Sequence, residues 1–268
     1  MDPFWLKLVL SFFVGGSYIA LTIWASERFD SKIGGILIGM PSTTLLSLIF
    51  IAWTQDTQVA RAALPVMPAA IGIGTLYISL FVALYRFGEA AALLGSIMFW
   101  FVLALPLVLL QLDSLPLSCL LAFACFTSSI ACSRRFAHRK LPRARASAQE
   151  FMIRSMFAGA VVAGAVLFGR MLGPLWGGLA ACFPAAFTSS LLLISRKHGI
   201  EFTASVVRSM PYGTFANVFF IVTVYVLTPL VHFPAAMILG LLAAMLVAGV
   251  LHQTVMQSPA ESGLSACE

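Results

Sequence analysis

Apolar runs of about 20 residues recur along the whole chain, and they constrain the fold more than any other feature of the sequence. A helix of about 20 apolar residues spans the roughly 30 Å of hydrocarbon in a bilayer. Only 10% of the 268 residues are charged, whereas a soluble domain has about 25%. The runs therefore predict an all-α, polytopic transmembrane helical bundle.

Nine helices fit these runs, and the longest polar stretch between them, Ser133–Glu150, is too short for a soluble domain. The predicted helices are Trp5–Ala25, Ile33–Trp53, Ala63–Leu84, Ala90–Leu112, Leu115–Ala131, Met152–Leu172, Leu175–Ile194, Gly213–Val231 and Phe233–Gln253. Of the 16 lysines and arginines, only Lys7, Arg61 and Arg170 fall on the side opposite the central basic loop. Because basic residues concentrate in cytoplasmic loops, we expect the N-terminus outside and the C-terminus in the cytoplasm.

Glycines and a proline recur at the same spacing in two of the predicted helices. The first copy reads GGILIGMPSTTLLS from Gly34, and the second reads GGLAACFPAAFTSS from Gly177. In each copy, the proline comes six residues after the second glycine, and a serine comes six residues after the proline. A match of this kind predicts an internal duplication.

The number of helices between the two copies predicts how they are related. Five helices separate their starts, and an odd number inverts the second copy relative to the first. We therefore expect two inverted four-helix repeats joined by a linker helix. The predicted divisions are 1–112 for the first repeat, 113–150 for the linker helix and basic cytoplasmic loop, 151–255 for the inverted second repeat, and 256–268 for a flexible tail. Inverted repeats with interrupted helices are typical of secondary transporters.

Two interpretations of the glycine–proline helices are open. In the first, small residues let helices approach closely, and the prolines only kink them. In the second, each proline breaks its helix, and the restarted half-helix offers free N–H groups and a positive dipole end to a polar solute near the membrane midplane. The second interpretation predicts a substrate site formed by Gly34, Gly35, Pro41, Ser42, Thr43, Thr44, Ser47, Gly177, Gly178, Pro184, Thr188, Ser189 and Ser190.

Charged residues follow both copies in equivalent loops. Asp56 and Arg61 follow the first copy, and Glu201 and Arg208 follow the second. One interpretation is a solvated loop with a weak ion pair, worth roughly 0–1 kcal/mol. The other is a pair of gates that close alternately on the two sides of the membrane.

The sequence does not predict an enzyme. The four histidines are scattered, and neither an HExxH pattern nor a Walker sequence occurs. We expect no cofactor and no metal. Most of the net charge of +6 lies in the loop SRRFAHRKLPRAR beside a membrane helix, which positive-inside placement explains without nucleic acid.

The segment WGGLAACFPAAFTSSLLLI, followed by a short polar loop and another apolar helix, resembles the small GlpM-like proteins of bacterial inner membranes. Those proteins have about half this length, so the chain resembles a duplicated version of them. The resemblance implies a location in the bacterial inner membrane and no particular substrate.

Together, these features predict a transporter or permease-like protein that moves a small polar solute, with anions among the candidates. The alternative is a non-catalytic membrane subunit that supports an envelope or polysaccharide-export assembly. The expected partners are the lipid bilayer and the solute, with a homodimer or another membrane protein as further candidates.

Overall fold

The computed structural model describes residues 3–26, 40–134 and 148–256, which form helices joined by turns, without strands. The α-helices of these residues are α1 (Pro3–Ser26), α2 (Ser42–Thr54), α3 (Thr57–Ala63), α4 (Met67–Leu84), α5 (Glu89–Leu109), α6 (Leu115–Ser133), α7 (Ala148–Met171), α8 (Pro174–Ala181), α9 (Ala185–Leu227) and α10 (Phe233–Met256). Short 3-10 turns, Leu64–Val66 and Tyr85–Phe87, precede and follow α4. The prediction of an all-α chain is confirmed for the described residues.

Within the described residues, seven helical segments are long and apolar enough to cross a membrane. They are Pro3–Thr22, Thr57–Phe87, Glu89–Leu109, Leu115–Ser133, Phe151–Met171, Pro174–Leu227 and Phe233–Leu251. A helix satisfies its own backbone hydrogen bonds, as hydrocarbon requires. By the length and composition of these helices, the chain is a multi-pass membrane protein.

The seven segments differ from the nine predicted helices for two reasons. The predicted helix Ile33–Trp53 lies partly outside the described residues, and its described part belongs to the 13-residue α2. The predicted helices Leu175–Ile194 and Gly213–Val231 both fall in one 54-residue segment. That segment is not one straight helix, because Pro184 separates α8 from α9, and Gly199 kinks α9. The kink has a φ of 79°, which glycine adopts without steric cost.

Two of the seven segments form the centre of the fold. In Thr57–Phe87 and Pro174–Leu227, 78% of an apolar stretch of 18 residues is buried inside the protein. The corresponding share in the other five segments is 22–33%. The outer helices expose large apolar side chains such as Phe13, Leu94 and Leu246. Such a continuous apolar surface suits contact with lipid.

The helices α1 and α7 cross at two glycines. A Cβ added to Gly16 would collide with the carbonyl oxygen of Ser155, and one added to Gly159 would collide with that of Phe12. Phe12 of α1 meets Gly159 of α7, whereas Gly16, further along α1, meets the earlier residue Ser155. The two helices therefore run antiparallel. The two contacts are equivalent, because Gly16 and Gly159 lie 143 residues apart, as do Phe12 and Ser155.

The same offset of 143 residues relates the boundaries of other elements. The helices α2 and α9 each begin directly after a proline, Pro41 or Pro184. Fifteen residues further on, Asp56 caps α3 and Gly199 kinks α9. The residues 57–84 and 200–227 then form helical runs of equal length. The correspondence seen in the sequence thus extends to where helices start, bend and end.

Candidate functional site

The two prolines at the helix starts adopt the same turn. Pro41 has φ −73° and ψ 55°, and Pro184 has φ −76° and ψ 49°. In both turns, the residue after the proline donates its backbone N–H to the carbonyl of the residue before it, at 2.7 Å. This is the inverse γ-turn. Each proline therefore occupies the N-cap position, one residue before its helix.

A small polar cavity lies at these two helix starts. It has a volume of about 30 Å³, which is room for one or two water molecules. The described residues that line it are Thr43, Thr44, Ile71, Gly74, Ala181, Cys182, Phe183, Pro184, Ala186, Phe187, Thr214 and Asn217. None of them is charged. The first N–H groups of a helix have no acceptor within it, so both helices contribute donors to this region.

A hydrogen bond joins the start of α2 to the central part of α9 beside the cavity. Thr44 Oγ1 donates to Asn217 Oδ1 at 3.0 Å, and both side chains are buried. The two N–H donors of the Asn217 amide have no partner among the described residues. They add to the donors at the cavity, whereas the end of α8 at Ala181 brings backbone carbonyl acceptors to it.

A second hydrogen bond joins α4 to the start of α9. Tyr77 Oη and Thr188 Oγ1 lie 2.8 Å apart, and both side chains are buried. Thr188 Oγ1 also donates to the carbonyl of Pro184 at 2.8 Å. Because the threonine hydroxyl has one proton, Tyr77 is the donor of the pair. Thr188 therefore fixes the first turn of α9 against α4.

Two predicted serines, Ser47 and Ser190, are fully buried and have hydroxyl oxygens without a hydrogen-bond partner in the described structure. They are 143 residues apart. Ser47 follows Thr44 by three positions, and Ser190 follows Phe187 by three, so each lies one turn beyond a cavity residue on the same helix face. A buried unpaired hydroxyl costs about 1–3 kcal/mol, which a bound water or solute would offset.

The remaining predicted site residues on the helix starts do not line the cavity. Pro41 and Ser42 are buried at the start of α2, beside the lining residues Thr43 and Thr44. Ser189 donates back to the carbonyls of Ala185 and Ala186 at 3.0 and 3.2 Å. Its hydroxyl is therefore committed to its own helix.

The glycine pair of the second copy packs helices together. A Cβ on Gly177 would lie 2.8 Å from Gly169 Cα of α7, and one on Gly178 would collide with the carbonyl of Ala63. Neither glycine lines the cavity, so their place is helix contact, as the packing interpretation holds. The first pair, Gly34 and Gly35, lies outside the described residues.

None of the four residues predicted as gates lines the cavity. The Asp56 carboxylate caps α3 by accepting the Gln58 N–H at 2.6 Å, and Arg61 lies over the Tyr225 ring, 5.4 Å from its centroid. These two predicted partners form no salt bridge with each other in the described structure. In the second copy, Glu201 is exposed and Arg208 is half-buried.

An ion pair that the sequence did not predict joins α5 to α9. Arg196 Nε lies 2.8 and 3.1 Å from the two carboxylate oxygens of Glu89, and its Nη2 lies 2.5 Å from one of them. Glu89 is the first residue of α5, and Arg196 lies three residues before the kink of α9 at Gly199. They are 107 residues apart, so no local pattern in the sequence pairs them. Asn217 and Tyr77 were also missed, although a polar side chain within an apolar span is a signal for a functional position.

The described residues contain no group of three or more His, Cys, Asp or Glu side chains placed to hold a metal ion. Fold and site together define a multi-pass helical membrane protein with a small uncharged polar cavity at the starts of α2 and α9.

A family described as a protein of unknown function (DUF3147) matches residues 8–111. The chain is similar to that family over these residues, which run from α1 to the end of α5. No curated protein matches the chain, and no solved structure matches it.

Proposed function

We propose that this protein is a transporter built from two inverted repeats, and that it moves a small polar solute past the two proline turns. The observation that carries the proposal is the pair of matching helix starts after Pro41 and Pro184, which meet at one polar cavity. Broken helices whose N-termini face a site at a repeat interface are how many transporters bind solute. The most fitting location is the bacterial inner membrane, with the N-terminus outside.

Three observations support the inverted repeat. The helices α1 and α7 are antiparallel and make interchangeable contacts through Gly16 and Gly159. The offset of 143 residues holds at helix starts, kinks and ends. The family match, residues 8–111, covers one proposed repeat and stops before the linker helix α6.

The chemistry of the cavity favours an anion or a polar solute with acceptor atoms. Helix N-termini and the Asn217 amide offer N–H donors, and the lining includes no carboxylate. At about 30 Å³, the cavity is too small for a metabolite. A solute larger than one or two waters requires the helix starts to separate, so the structure corresponds to a closed state of the site.

The two ends of the proposed path differ, as alternating access requires. Glu89 and Arg196 hold α5 against α9. The residues 143 positions away from them are His232 and Trp53, at the ends of α10 and α2. A groove of about 580 Å³ lies between these two helices, with Trp53 and Phe233 among its walls. The proposed repeats thus have an ion pair at one of two equivalent places and an apolar groove at the other.

The test is flux of a panel of small anions and neutral polar solutes into liposomes that contain the purified protein. We expect flux for at least one solute, and loss of that flux in Pro41→Ala, Pro184→Ala and Asn217→Leu. Thr127→Val is the matched control, because Thr127 is exposed on α6 and bonds only to its own helix. Absence of flux for every solute in folded protein would reject transport and favour a membrane scaffold.

A further inference from the structure

An apolar groove separates α2 from α10 on the outside of the helix bundle. Its volume is about 580 Å³, and its walls are Leu45, Ile49, Ala52, Trp53, Thr57, Phe233, Pro234, Met237, Ile238 and Leu241. Ile49 and Ile238, on opposite walls, are 41% and 62% exposed. Eight residues separate Leu45 from Trp53 on one wall, which is roughly 12 Å of helix. The groove is therefore long, apolar and open at the surface.

The surroundings of the groove determine what can fill it. Both walls belong to apolar helices whose outer faces suit lipid, since α10 exposes Leu246 at 72%. Water gains little in a groove without polar partners, whereas a lipid tail is as apolar as the groove walls and can fill it. The volume lies within the range of small-molecule sites, about 300–1,000 Å³.

The ammonium group of Lys7 lies beside Trp53, one of the residues that line the groove. Lys7 of α1 donates to the carbonyl of Trp53 at 2.8 Å, and its Nζ lies 5.0 Å from the centroid of the Trp53 ring. The ammonium has three donors, so one carbonyl bond leaves capacity for an anionic group. Tryptophan and lysine at a helix end are typical of the level of lipid headgroups.

We propose that this groove is a binding site for an anionic phospholipid of the surrounding bilayer, with one acyl chain between α2 and α10 and the phosphate at Lys7. Two observations carry the assignment. One is the apolar groove between membrane-compatible helices, and the other is the Lys7 ammonium beside the wall residue Trp53. The site is separate from the polar cavity and does not depend on the proposed transport.

The test is native mass spectrometry of the full chain in detergent, titrated with phosphatidylglycerol or phosphatidylcholine of the same acyl length. We expect tighter binding of the first phosphatidylglycerol, and a loss of about fivefold in that preference in Lys7→Gln, since one basic residue near the headgroups contributes about that factor. Lys7→Arg should restore the preference. Equal binding of the two lipids by the unaltered protein would overturn the proposal.

A second variant tests the acyl chain independently of the charge. Ile49→Trp places a bulky ring in the groove and should weaken binding of both lipids, whereas Leu246→Trp adds the same bulk on an exposed face outside the groove lining and should not. The exposed Arg134→Gln is the matched control for charge. Unchanged lipid binding in Ile49→Trp would show that lipid sits elsewhere and would also overturn the proposal.

Discussion

Thr44 donates a hydrogen bond to Asn217 across 173 residues of sequence, and the equivalent positions in the other half make a different contact. The residues offset by 143 are Phe187 and Gly74, and a Cβ on Gly74 would lie 3.8 Å from Phe187 Cε2. At these equivalent positions, α2 makes a polar contact and α9 places an aromatic ring against a glycine. The polar contact of the α9 start is made one residue later, by Thr188 with Tyr77, so the two helix starts share a backbone turn but not their side-chain contacts.

The Thr44–Asn217 bond should contribute measurably to stability. Hydrogen bonds between membrane helices are worth about 0.6 kcal/mol on average and up to about 1.7. We expect a coupling of this size in a double-mutant cycle with Thr44→Val and Asn217→Leu, measured as the free energy of unfolding in mixed micelles. A coupling near zero would mean that the bond does not hold the helix start.

The Glu89–Arg196 ion pair should limit access to the cavity from its end of the protein. Cys182 lines the cavity and is buried, so it serves as a reporter once Cys119, Cys125, Cys132 and Cys267 are replaced by alanine. We expect Arg196→Gln to speed the labelling of Cys182 by a small thiol reagent up to about fivefold, because an exposed pair is worth at most about 1 kcal/mol.

Two further variants distinguish the ion pair from a general effect of charge. The exchange Glu89→Arg with Arg196→Glu should return the labelling of Cys182 to its slow rate. Arg86→Gln should leave the rate unchanged, because Arg86 lies nearby over the Phe87 ring, 4.6 Å from its centroid. Fast labelling in the exchanged protein would argue against a gate.

Gly178 should tolerate no side chain, although it does not line the cavity. In Gly178→Ala, the new methyl group would collide with the Ala63 carbonyl, and overpacking of this kind costs about 1–3 kcal/mol. Gly164→Ala is the control, because nothing lies within 4 Å of the added Cβ. We expect a lower midpoint of thermal unfolding for Gly178→Ala but not for Gly164→Ala. Equal midpoints in the two variants would contradict the packing role of Gly178.

The predicted orientation can be tested by labelling intact cells. In a cysteine-free background, Gln58→Cys should react with an impermeant maleimide from outside, because Gln58 is exposed on α3. Ala144→Cys, which lies outside the described residues, should react only after permeabilisation. Reaction of both from the same side would contradict the inverted arrangement.

Local signals in the sequence marked Pro41 and Pro184 as special positions, but they did not decide between a kink and a helix start. Proline disfavours a helix interior, yet Pro106 and Pro211 lie inside α5 and α9. Glycine serves both close packing and open sites, so the roles of Gly177 and Gly178 needed the neighbouring helices. Asn217 and Thr44 are 173 residues apart, and no local pattern specifies that pairing.

The crossing of α1 and α7 bears on how such a chain can arise. Gly16 meets the backbone at Ser155 as Gly159 meets it at Phe12, so the two helices make the same contact with each other. Such a self-complementary contact does not require its partners to share a chain. If the proposed inverted repeat arose by duplication, a half-length ancestor would form this contact only between copies that entered the membrane in opposite directions. A linker helix such as α6 would then fix both directions within one gene.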